Sequence, residues 1–404
     1  MRRTLHARRD GVSPVPESDC PPLRLAVNAT PLLFPLTGIG HYIQALMRAL
    51  EQTGQVEADY FYVKGWAKTL RPRPLTPSAH IIKRVLRRYL PRSYQLSRWL
   101  QQRAFNVGVR RRDMAVYHEP NFLAFDFDGP TVLTAHDLSW VRYPDTHPIE
   151  RVRAMDRYFE RSLRQASAVI TPTQFVKDEV CEVFGIPASQ VHVTHEAADA
   201  IFRPLGPAQT QSVRASWQLA HGKYWAAVGT LEPRKNLGVL LDAFSMLSPA
   251  ERKQCPLVVM GMLGWRYADL LPRLQSMVEA GELIYTGYLP RADQAALLAG
   301  AKALIYPSLY EGFGLPLVEA MQCGVPVLAS NASSLPEVMG DAGKPFDPHD
   351  AEALLDIMRG FLHDPLERER MAGLALRRSD DFSWQRCARE TIDVYRVARV
   401  EPYS

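Results

Sequence analysis

Residues 305–327 constrain the fold more than any other part of the sequence; their letters are IYPSLYEGFGLPLVEAMQCGVPV. The apolar run at 302–306 is followed by a proline, which predicts a buried strand. Residues 315–323 have helical spacing, with Pro316 where the first turn of a helix tolerates proline. The sequence therefore predicts a strand that leads into a helix through a Glu-Gly-Phe-Gly turn at 311–314.

This turn has the chemistry of an anion site. Its two glycines let the backbone approach a ligand without a Cβ in the way, and the unpaired amides of the following helix favour phosphate or diphosphate. Glu311 precedes the turn and Glu319 lies one helical turn inside the helix. Because carboxylates accept hydrogen bonds from paired hydroxyls, one glutamate suits a ribose and the other a sugar. The alternative interpretation is a capped helix with solvated glutamates.

A second candidate site follows another predicted strand. Arg234 and Lys235 lie between the strand predicted at 224–228 and a helix predicted from Asn236. A planar guanidinium next to a point charge suits a diphosphate whose negative charge grows as a glycosidic bond breaks. The alternative is a solvated pair, which the polarity of a helix start disfavours because cations are stabilised at the other end.

Short apolar runs alternate with helical stretches along most of the chain, which predicts an α/β fold with parallel sheets. The helices include 41–50, 148–165 and a terminal helix at 382–399. The segment 197–218 is irregular and is expected to contain the interdomain connection. The predicted strands are 23–27, 56–63, 114–117, 131–135, 168–170 and 191–194 in the first half, and 224–228, 257–260, 283–286, 303–306 and 325–329 in the second. Two doubly wound, Rossmann-like sheets that face each other across a cleft would place ligands at the carboxyl ends of these strands.

At 404 residues the chain exceeds what one hydrophobic core usually serves, so we expect two domains. The expected divisions are a disordered tail at 1–22, a first domain at 23–205, a second at 206–381 and a terminal helix at 382–404. The five cysteines lack Cys-x-x-Cys spacing, which favours a reducing cytoplasm over a disulfide or zinc framework. We expect neither a signal peptide nor a membrane span, because no run approaches about 18 apolar residues.

The basic charge is concentrated at the front of the chain. Residues 1–112 hold 20 Lys/Arg against 6 Asp/Glu, and residues 71–112 hold 12 Lys/Arg and no acid. Within that run, 81–90 predicts a helix with one apolar and one basic face, which is typical of docking on an anionic membrane. The alternatives are a helix packed into the first domain with solvated arginines, or a membrane- or nucleic-acid-binding module without catalysis. Nucleic acid is disfavoured because the segment lacks an aromatic stacking platform.

The motifs together resemble the retaining GT-B glycosyltransferases of family 4. Glu311 and Glu319 are similar to the Glu-x7-Glu signature of that family. The segments 228–236, 286–289 and 333–338 resemble its diphosphate segment, its base-contacting turn and its downstream helix start. In the first half the resemblance is looser: it rests on Gly38-Ile39-Gly40 and on Thr134-Ala135-His136-Asp137.

The resemblance implies a metal-independent transferase that needs no cofactor and moves a hexose from a nucleotide diphosphate sugar, with retention. The pattern is most similar to bacterial mannosyl- or rhamnosyl-type enzymes of polysaccharide assembly, and GDP-mannose is the favoured donor. The implied acceptor is a glycan or polyprenyl-linked molecule bound by the first domain. It also implies that the terminal helix crosses back to the first domain, and a peripheral place on the inner face of the cell membrane. A sugar-nucleotide epimerase of the same fold is the alternative enzyme.

The resemblance also assigns roles to residues. The implied catalytic residues are Glu311, His136, Arg234 and Lys235, with Glu311 on sugar hydroxyls and His136 near the C6 end of the sugar. The implied donor-binding residues are Gly38, Gly40, Gly229, Gly261, Tyr288, Leu289, Gly312, Phe313, Gly314, Leu315 and Glu319. His118, His195 and Glu196 also follow first-domain strands and are further candidates. Asp126 and Asp128 have Asp-x-Asp spacing but belong to a predicted loop, so no metal site is proposed.

Overall fold

The computed structural model describes residues 21–33, 36, 38–63, 65–70 and 93–400. The expected tail lies outside these residues except for its last two positions, and so does the basic helix predicted at 81–90. Among the described residues, no helix has the length and apolarity needed to cross a membrane.

The first half of the chain forms a parallel sheet with one antiparallel edge strand. Within the described residues this sheet has seven strands in the order β3-β2-β1-β4-β5-β6-β7, and only β3 runs against its neighbour. The strands are β1 (Leu23–Asn28), β2 (Val56–Tyr62), β3 (Gly65–Ala67), β4 (Val116–Glu119), β5 (Thr131–Thr134), β6 (Ala168–Thr171) and β7 (Val191–Val193). β4, β5 and β6 are buried along their whole length, as expected of strands covered by helices on both faces.

Helices cover both faces of this sheet. They are α1 (Gly38–Gln52), α2 (Ser93–Val109), α3 (Ser139–Arg142), α4 (Ile149–Gln165) and α5 (Gln174–Phe184). α1 buries Ile43, Leu46, Met47 and Leu50, which is the face that its spacing predicts. β3 and α2 were not predicted from the sequence.

The second half repeats the architecture with a fully parallel sheet. Within the described residues it has six strands in the order β10-β9-β8-β11-β12-β13. The strands are β8 (Trp225–Val228), β9 (Leu257–Met260), β10 (Leu283–Gly287), β11 (Ala303–Tyr306), β12 (Val327–Ser330) and β13 (Gly343–Phe346). The helices are α6 (Pro207–Ser216), α7 (Leu237–Ser245), α8 (Pro249–Gln254), α9 (Leu271–Glu279), α10 (Arg291–Ala299), α11 (Leu315–Gln322), α12 (Leu335–Met339), α13 (Ala351–His363) and α14 (Pro365–Ser379). The predicted pair of doubly wound sheets is confirmed.

Two local predictions in this half were wrong. The segment expected to be irregular contains α6, which begins with Pro207 in its first turn after Gly206, and the side chain of Gln209 accepts a hydrogen bond from the Gly206 amide. β12 begins two residues later than expected, because the Val325 amide donates to the carbonyl of Ala320 and thereby closes the end of α11.

The last helix, α15 (Trp384–Val400), returns to the first sheet. Cys387, Ile392 and Tyr395 are buried there, as their spacing predicts, in one apolar cluster with residues of β1 and α1. The backbone therefore passes between the two sheets twice, once after β7 and once before α15. The predicted crossing of the terminal helix is confirmed.

Candidate active site

A cleft of about 430 Å³ separates the two sheets and lies at the carboxyl ends of their strands. Most of the site residues predicted from the sequence line it. These are His136, Arg234, Lys235, Glu311, Gly38, Gly229, Gly261, Tyr288, Leu289, Gly312, Phe313, Gly314, Leu315 and Glu319. Gly40 does not line this cleft, because α1 turns it towards a neighbouring pocket and a Cβ there would meet the Leu36 side chain at 2.8 Å.

We call the two sides of the cleft the first-sheet wall and the second-sheet wall, after the sheet whose strands lead into them. Glu311 is the centre of the charged network on the second-sheet wall. Arg234 donates from Nη1 to its Oε2 at 2.9 Å, and Lys235 donates from Nζ to its Oε1 at 2.6 Å. The Tyr306 hydroxyl also donates to Oε1, at 2.9 Å. Burial works against ionisation of this carboxyl, but Arg234 and Lys235 outweigh it and hold the pKa of Glu311 at about 2. Glu311 is therefore a carboxylate at neutral pH.

Arg234 is held in place by acceptors on several sides. Besides Glu311, its guanidinium donates to Glu232 Oε1 at 2.8 Å and to the Tyr310 carbonyl at 2.5 Å. Burial opposes the charge, but Glu311, Asp137 and Glu232 raise the pKa of Arg234 above its ordinary value. The cleft thus contains a fixed cation whose position is set before any ligand arrives.

The turn that carries Arg234 and Lys235 ends in an unusual backbone conformation. Asn236 has φ of 52°, in the left-handed region that asparagine tolerates better than most residues. Its side-chain amide donates to the carbonyls of Pro307 at 3.0 Å and Pro348 at 2.7 Å. Asn236 therefore ties this turn to the loop that follows β11.

The Glu-Gly-Phe-Gly turn touches the first sheet directly. A Cβ on Gly312 would lie 1.8 Å from the carbonyl oxygen of His136, and the Thr173 hydroxyl donates to the Gly312 carbonyl at 2.9 Å. Gly314 has φ of 99°, which favours glycine. The absence of a side chain at Gly312 is thus needed for contact between the two walls, a reason that the sequence interpretation had not included.

Glu319 has a partner that the sequence interpretation missed. Arg291, in the first turn of α10, contacts its Oε1 from Nη2 at 2.8 Å, and Gln294 donates to Oε2 at 3.2 Å. Burial raises the pKa of Glu319, although Arg291 opposes the rise. The only signal available in the sequence was that Arg291 follows the carboxyl end of a predicted strand.

The first-sheet wall contributes His136, with an acceptor beside each ring nitrogen. Nδ1 lies 3.2 Å from Glu196 Oε1, and Nε2 lies 2.9 Å from the Pro120 carbonyl. The ring is 4.7 Å from that of Tyr42, edge to face. Burial alone would lower the pKa of His136, but the contact with Glu196 raises it overall.

The other candidates from the sequence lie in different environments. His118 is fully buried and does not line the cleft; its nitrogens contact the Tyr395 hydroxyl at 2.8 Å and the Thr134 hydroxyl at 2.9 Å, and burial lowers its pKa to about 3. His195 contacts Glu337 at 3.3 Å. Asp126 contacts Arg161 at the surface, at 2.9 Å.

Contacts also join the two walls beyond the charged centre. Glu337 accepts the amides of Gln174 at 2.8 Å and Phe175 at 3.0 Å, which are the first residues of α5. The Trp265 indole, which follows β9, also donates to the Thr146 carbonyl at 2.5 Å. The cleft is therefore bridged at several points in this structure.

The chain matches two models of known protein families. Residues 36–200 match the family model Glycosyltransferase Family 4, and residues 211–376 match Glycosyl transferases group 1. The O-antigen chain mannosyltransferase B of Escherichia coli is 33% identical over 380 residues, which is 93% of this chain and 100% of the relative.

Two further matches are more distant. The serotype-specific mannosyltransferase WbdA of Escherichia coli is 31% identical over 67% of this chain, and the match covers 34% of that longer protein. Among solved structures, sucrose-phosphate synthase from Thermosynechococcus elongatus superposes with a TM-score of 0.72 at 19% identity, covering 93% of this chain and 98% of the other. The chain therefore has the GT-B fold and belongs to glycosyltransferase family 4.

Proposed function

We propose that this protein transfers a mannosyl residue, with retention, from a nucleoside diphosphate sugar to a glycan or lipid-linked acceptor in the assembly of a cell-surface polysaccharide. The observation that carries the proposal is the convergence of Arg234 and Lys235 on Glu311 in the cleft. Two preplaced cations beside an ionised carboxylate suit a reaction in which a diphosphate leaves and a sugar acquires positive charge.

The donor would lie against the second-sheet wall. Lys235 has three N–H donors and uses two of them on Tyr306 and Glu311, which leaves one for a diphosphate oxygen. The start of α11 lines the same cleft and has no side-chain cap among the described residues, so its amides would stabilise negative charge there. Glu311 would hold sugar hydroxyls, and Glu319 would accept from the ribose, in part by exchanging its contact with Arg291.

Mannose is proposed because the chain is 33% identical to an O-antigen chain mannosyltransferase. GDP-mannose is proposed as the nucleotide sugar that corresponds to this transfer. Thermal shifts with GDP-mannose, UDP-glucose and UDP-galactose test the donor, since a ligand at about 100 times its dissociation constant stabilises by about 2.7 kcal/mol. Transfer of labelled mannose to octyl α-mannoside then tests the reaction. A shift with another donor and none with GDP-mannose would contradict the proposed sugar nucleotide.

A sugar-nucleotide epimerase would use the same nucleotide site without an acceptor. The two functions differ in what happens to the donor alone. Conversion of the donor to a stereoisomer, followed by NMR in the absence of acceptor, would favour the epimerase; unchanged donor that turns over only when octyl α-mannoside is added supports the transferase.

The acceptor is proposed to reach the first domain from an anionic membrane, on whose cytoplasmic face the protein would be peripheral. The described part of the basic segment supports this through α2. Leu96, Trp99, Leu100 and Val107 lie at helical spacing on α2 and are 50% to 60% exposed, with Arg103 among them. An apolar stripe flanked by arginines suits the boundary between lipid headgroups and acyl chains.

Liposome flotation tests the docking. We expect binding to vesicles with anionic lipid, no binding to purely zwitterionic ones, and weaker binding in high salt. The double substitution Trp99→Glu and Leu100→Glu should reduce binding, as should charge reversal of Arg84, Arg87 and Arg88. Leu366→Glu is the matched control, because Leu366 is 77% exposed on α14 in the second half. Equal flotation of all variants would exclude this surface.

A further inference from the structure

We propose that Glu196 is a positioning residue for His136, and that its second carboxylate oxygen accepts a hydroxyl of the donor sugar. The first part stands on contacts within the first domain. The second part rests on the proposed function, because it needs a sugar in the cleft. Glu196 follows β7, and the sequence named it as a candidate without giving it a role.

The hydrogen-bonding requirements of His136 identify the role of Glu196. A neutral imidazole has one donor nitrogen and one acceptor nitrogen. The Pro120 carbonyl can only accept, so the nitrogen that faces it, Nε2, must carry a proton. Nδ1 faces Glu196, so either Nδ1 also carries a proton or the carboxyl does. In both cases the pair holds one more proton than a neutral histidine beside a carboxylate.

Both members of the pair are shielded from water. His136 is 8% exposed and Glu196 is 5% exposed. A buried carboxylate without a cation costs several kcal/mol, and so does a buried imidazolium without an anion. Each therefore stabilises the charged form of the other, and the ring plane is fixed by a contact at each end.

Other groups around the ring do not replace this contact. Asp137 is the next residue, and its Oδ1 accepts from the Ser139 amide at 3.0 Å and the Ser139 hydroxyl at 2.8 Å. His118 contacts Thr134 and Tyr395 instead, and burial disfavours its charged form. Tyr42, on α1, presents its ring and donates or accepts at Thr134 rather than at His136.

The remaining groups near the pair belong to the terminal helix and the opposite wall. The Cys387 thiol lies 3.9 Å from the Thr194 hydroxyl, and burial raises its pKa to about 12, so it is neutral. Burial alone would raise the pKa of Asp137, but Arg234 on the opposite wall, together with Arg151, lowers it overall. Glu196 is thus the carboxylate that contacts the His136 ring.

Glu196 lines the cleft, and its second oxygen has no hydrogen-bond partner among the described residues. Among the described residues the Glu196 carboxylate makes one hydrogen bond, through Oε1, and the side chain lines the same cavity as Glu311. An ionised carboxylate has several acceptor sites, so Oε2 can accept from a hydroxyl. Because a site built to pair with a hydroxyl rejects the analogue that lacks it, this contact would help to select the sugar.

Two substitutions separate the parts of the proposal. In Glu196→Gln the amide can donate to Nδ1 of a neutral His136 while its carbonyl oxygen can still accept from a hydroxyl, so the ring orientation is kept and the charge is lost. In Glu196→Ala both contacts are lost. Glu160→Gln is the matched control, because it removes a first-domain carboxylate from an exposed i,i+4 pair with Arg164.

The first measurement needs no substrate. NMR titration of the His136 ring, assigned with His136→Asn, should show protonation at a lower pH in both Glu196 variants than in the wild type, with Glu160→Gln unchanged. If His136 titrates at the same pH in the wild type and in Glu196→Gln, Glu196 does not hold its proton and the positioning role is wrong.

The second measurement is kinetic and uses GDP-mannose with octyl α-mannoside. We expect the fall of kcat/KM at alkaline pH to begin at a lower pH in Glu196→Gln, with the donor KM kept within about twofold, and the donor KM to rise about tenfold in Glu196→Ala. Equal donor KM in the two variants would contradict the hydroxyl contact. Absence of turnover in the wild type would contradict the proposed function and leave the NMR result standing.

Discussion

The second-sheet wall of the cleft and the first-sheet wall hold charge differently. On the second-sheet wall, Arg234 is permanently charged. Although burial opposes ionisation of Glu311, Arg234 and Lys235 lower its pKa to about 2. On the first-sheet wall, His136 lies beside Glu196 and is charged only when its ring is protonated. The comparison indicates that one wall is built for a constant electrostatic task, such as holding a diphosphate, and that the other responds to pH.

The largest expected effect concerns the cations of the second-sheet wall. Lys235→Ala and Arg234→Ala should each lower kcat/KM by roughly 30- to 1,000-fold, because each removes a donor to the leaving diphosphate. This corresponds to a loss of about 2 to 4 kcal/mol in transition-state stabilisation. Steady-state kinetics measures the loss, and circular dichroism checks that the variants fold. Arg273→Ala is the control, since Arg273 pairs with Asp242 at the surface. Activity within about twofold of wild type would mean that the pair does not meet the reacting groups.

A smaller effect should follow from separating the two walls. Gly312→Ala places a Cβ against the backbone carbonyl of His136, and backbone cannot yield as a flexible side chain would. We expect a loss of about 1 to 3 kcal/mol in stability, with a lower kcat/KM. Gly360→Ala, in α13 with nothing within 4 Å of the added Cβ, should instead leave activity unchanged and stabilise by up to about 1 kcal/mol. Equal melting temperatures of Gly312→Ala and the wild type would show that the walls are not in contact in solution.

The two glutamates of the second-sheet wall should separate binding from turnover. Glu319→Ala should weaken donor binding about tenfold, or about 1.4 kcal/mol, because ribose contacts are similar in the ground and transition states. Glu311→Ala should lower kcat more than it weakens binding. Calorimetric titration of the donor beside single-turnover rates distinguishes them, and the reverse order of effects would exchange the two roles.

The smallest expected effects concern the pH dependence of stability. The pKa of Glu311 is lowered, so its contribution is present above its ordinary value of 4.5 and is lost as the pH falls towards 2. The pKa of His136 is raised, so its contribution is present below 6.5 and is lost as the pH rises through its value in the folded protein. The difference in melting temperature between the wild type and Glu311→Gln should therefore become smaller at acid pH. The difference between the wild type and His136→Gln should become smaller at alkaline pH. Parallel curves would contradict the difference between the walls.

The parts of the fold that were predicted correctly have strong local signals. β9 and β11 were predicted with their observed bounds, because each is a short apolar run bounded by proline or a polar residue. α2 was missed because Leu96 and Trp99 are solvent-exposed, so its apolar residues do not mark a buried face. β3 was missed because three residues at a sheet edge carry too short a pattern.

The same reasoning explains what was found in the site. Glu311, Arg234 and Lys235 were identified because each belongs to a compact motif at the end of a strand. The partners of Glu319 and His136 were not assigned, since Arg291 and Glu196 are brought to them by the fold; Glu196 is 60 residues from His136. Pairing across that distance depends on the order of strands in a sheet, which local spacing does not specify.

The double passage of the backbone between the sheets has a mechanical consequence. The two passages run side by side, since His195 in the first lies 5.7 Å from the Phe382 ring in the second. Two adjacent backbone passages act as a single hinge. Rotation about this hinge would separate the halves least near His195 and most at the opposite rim of the cleft. We therefore expect this rim to be the entrance through which a donor reaches the cleft and a nucleotide product leaves it.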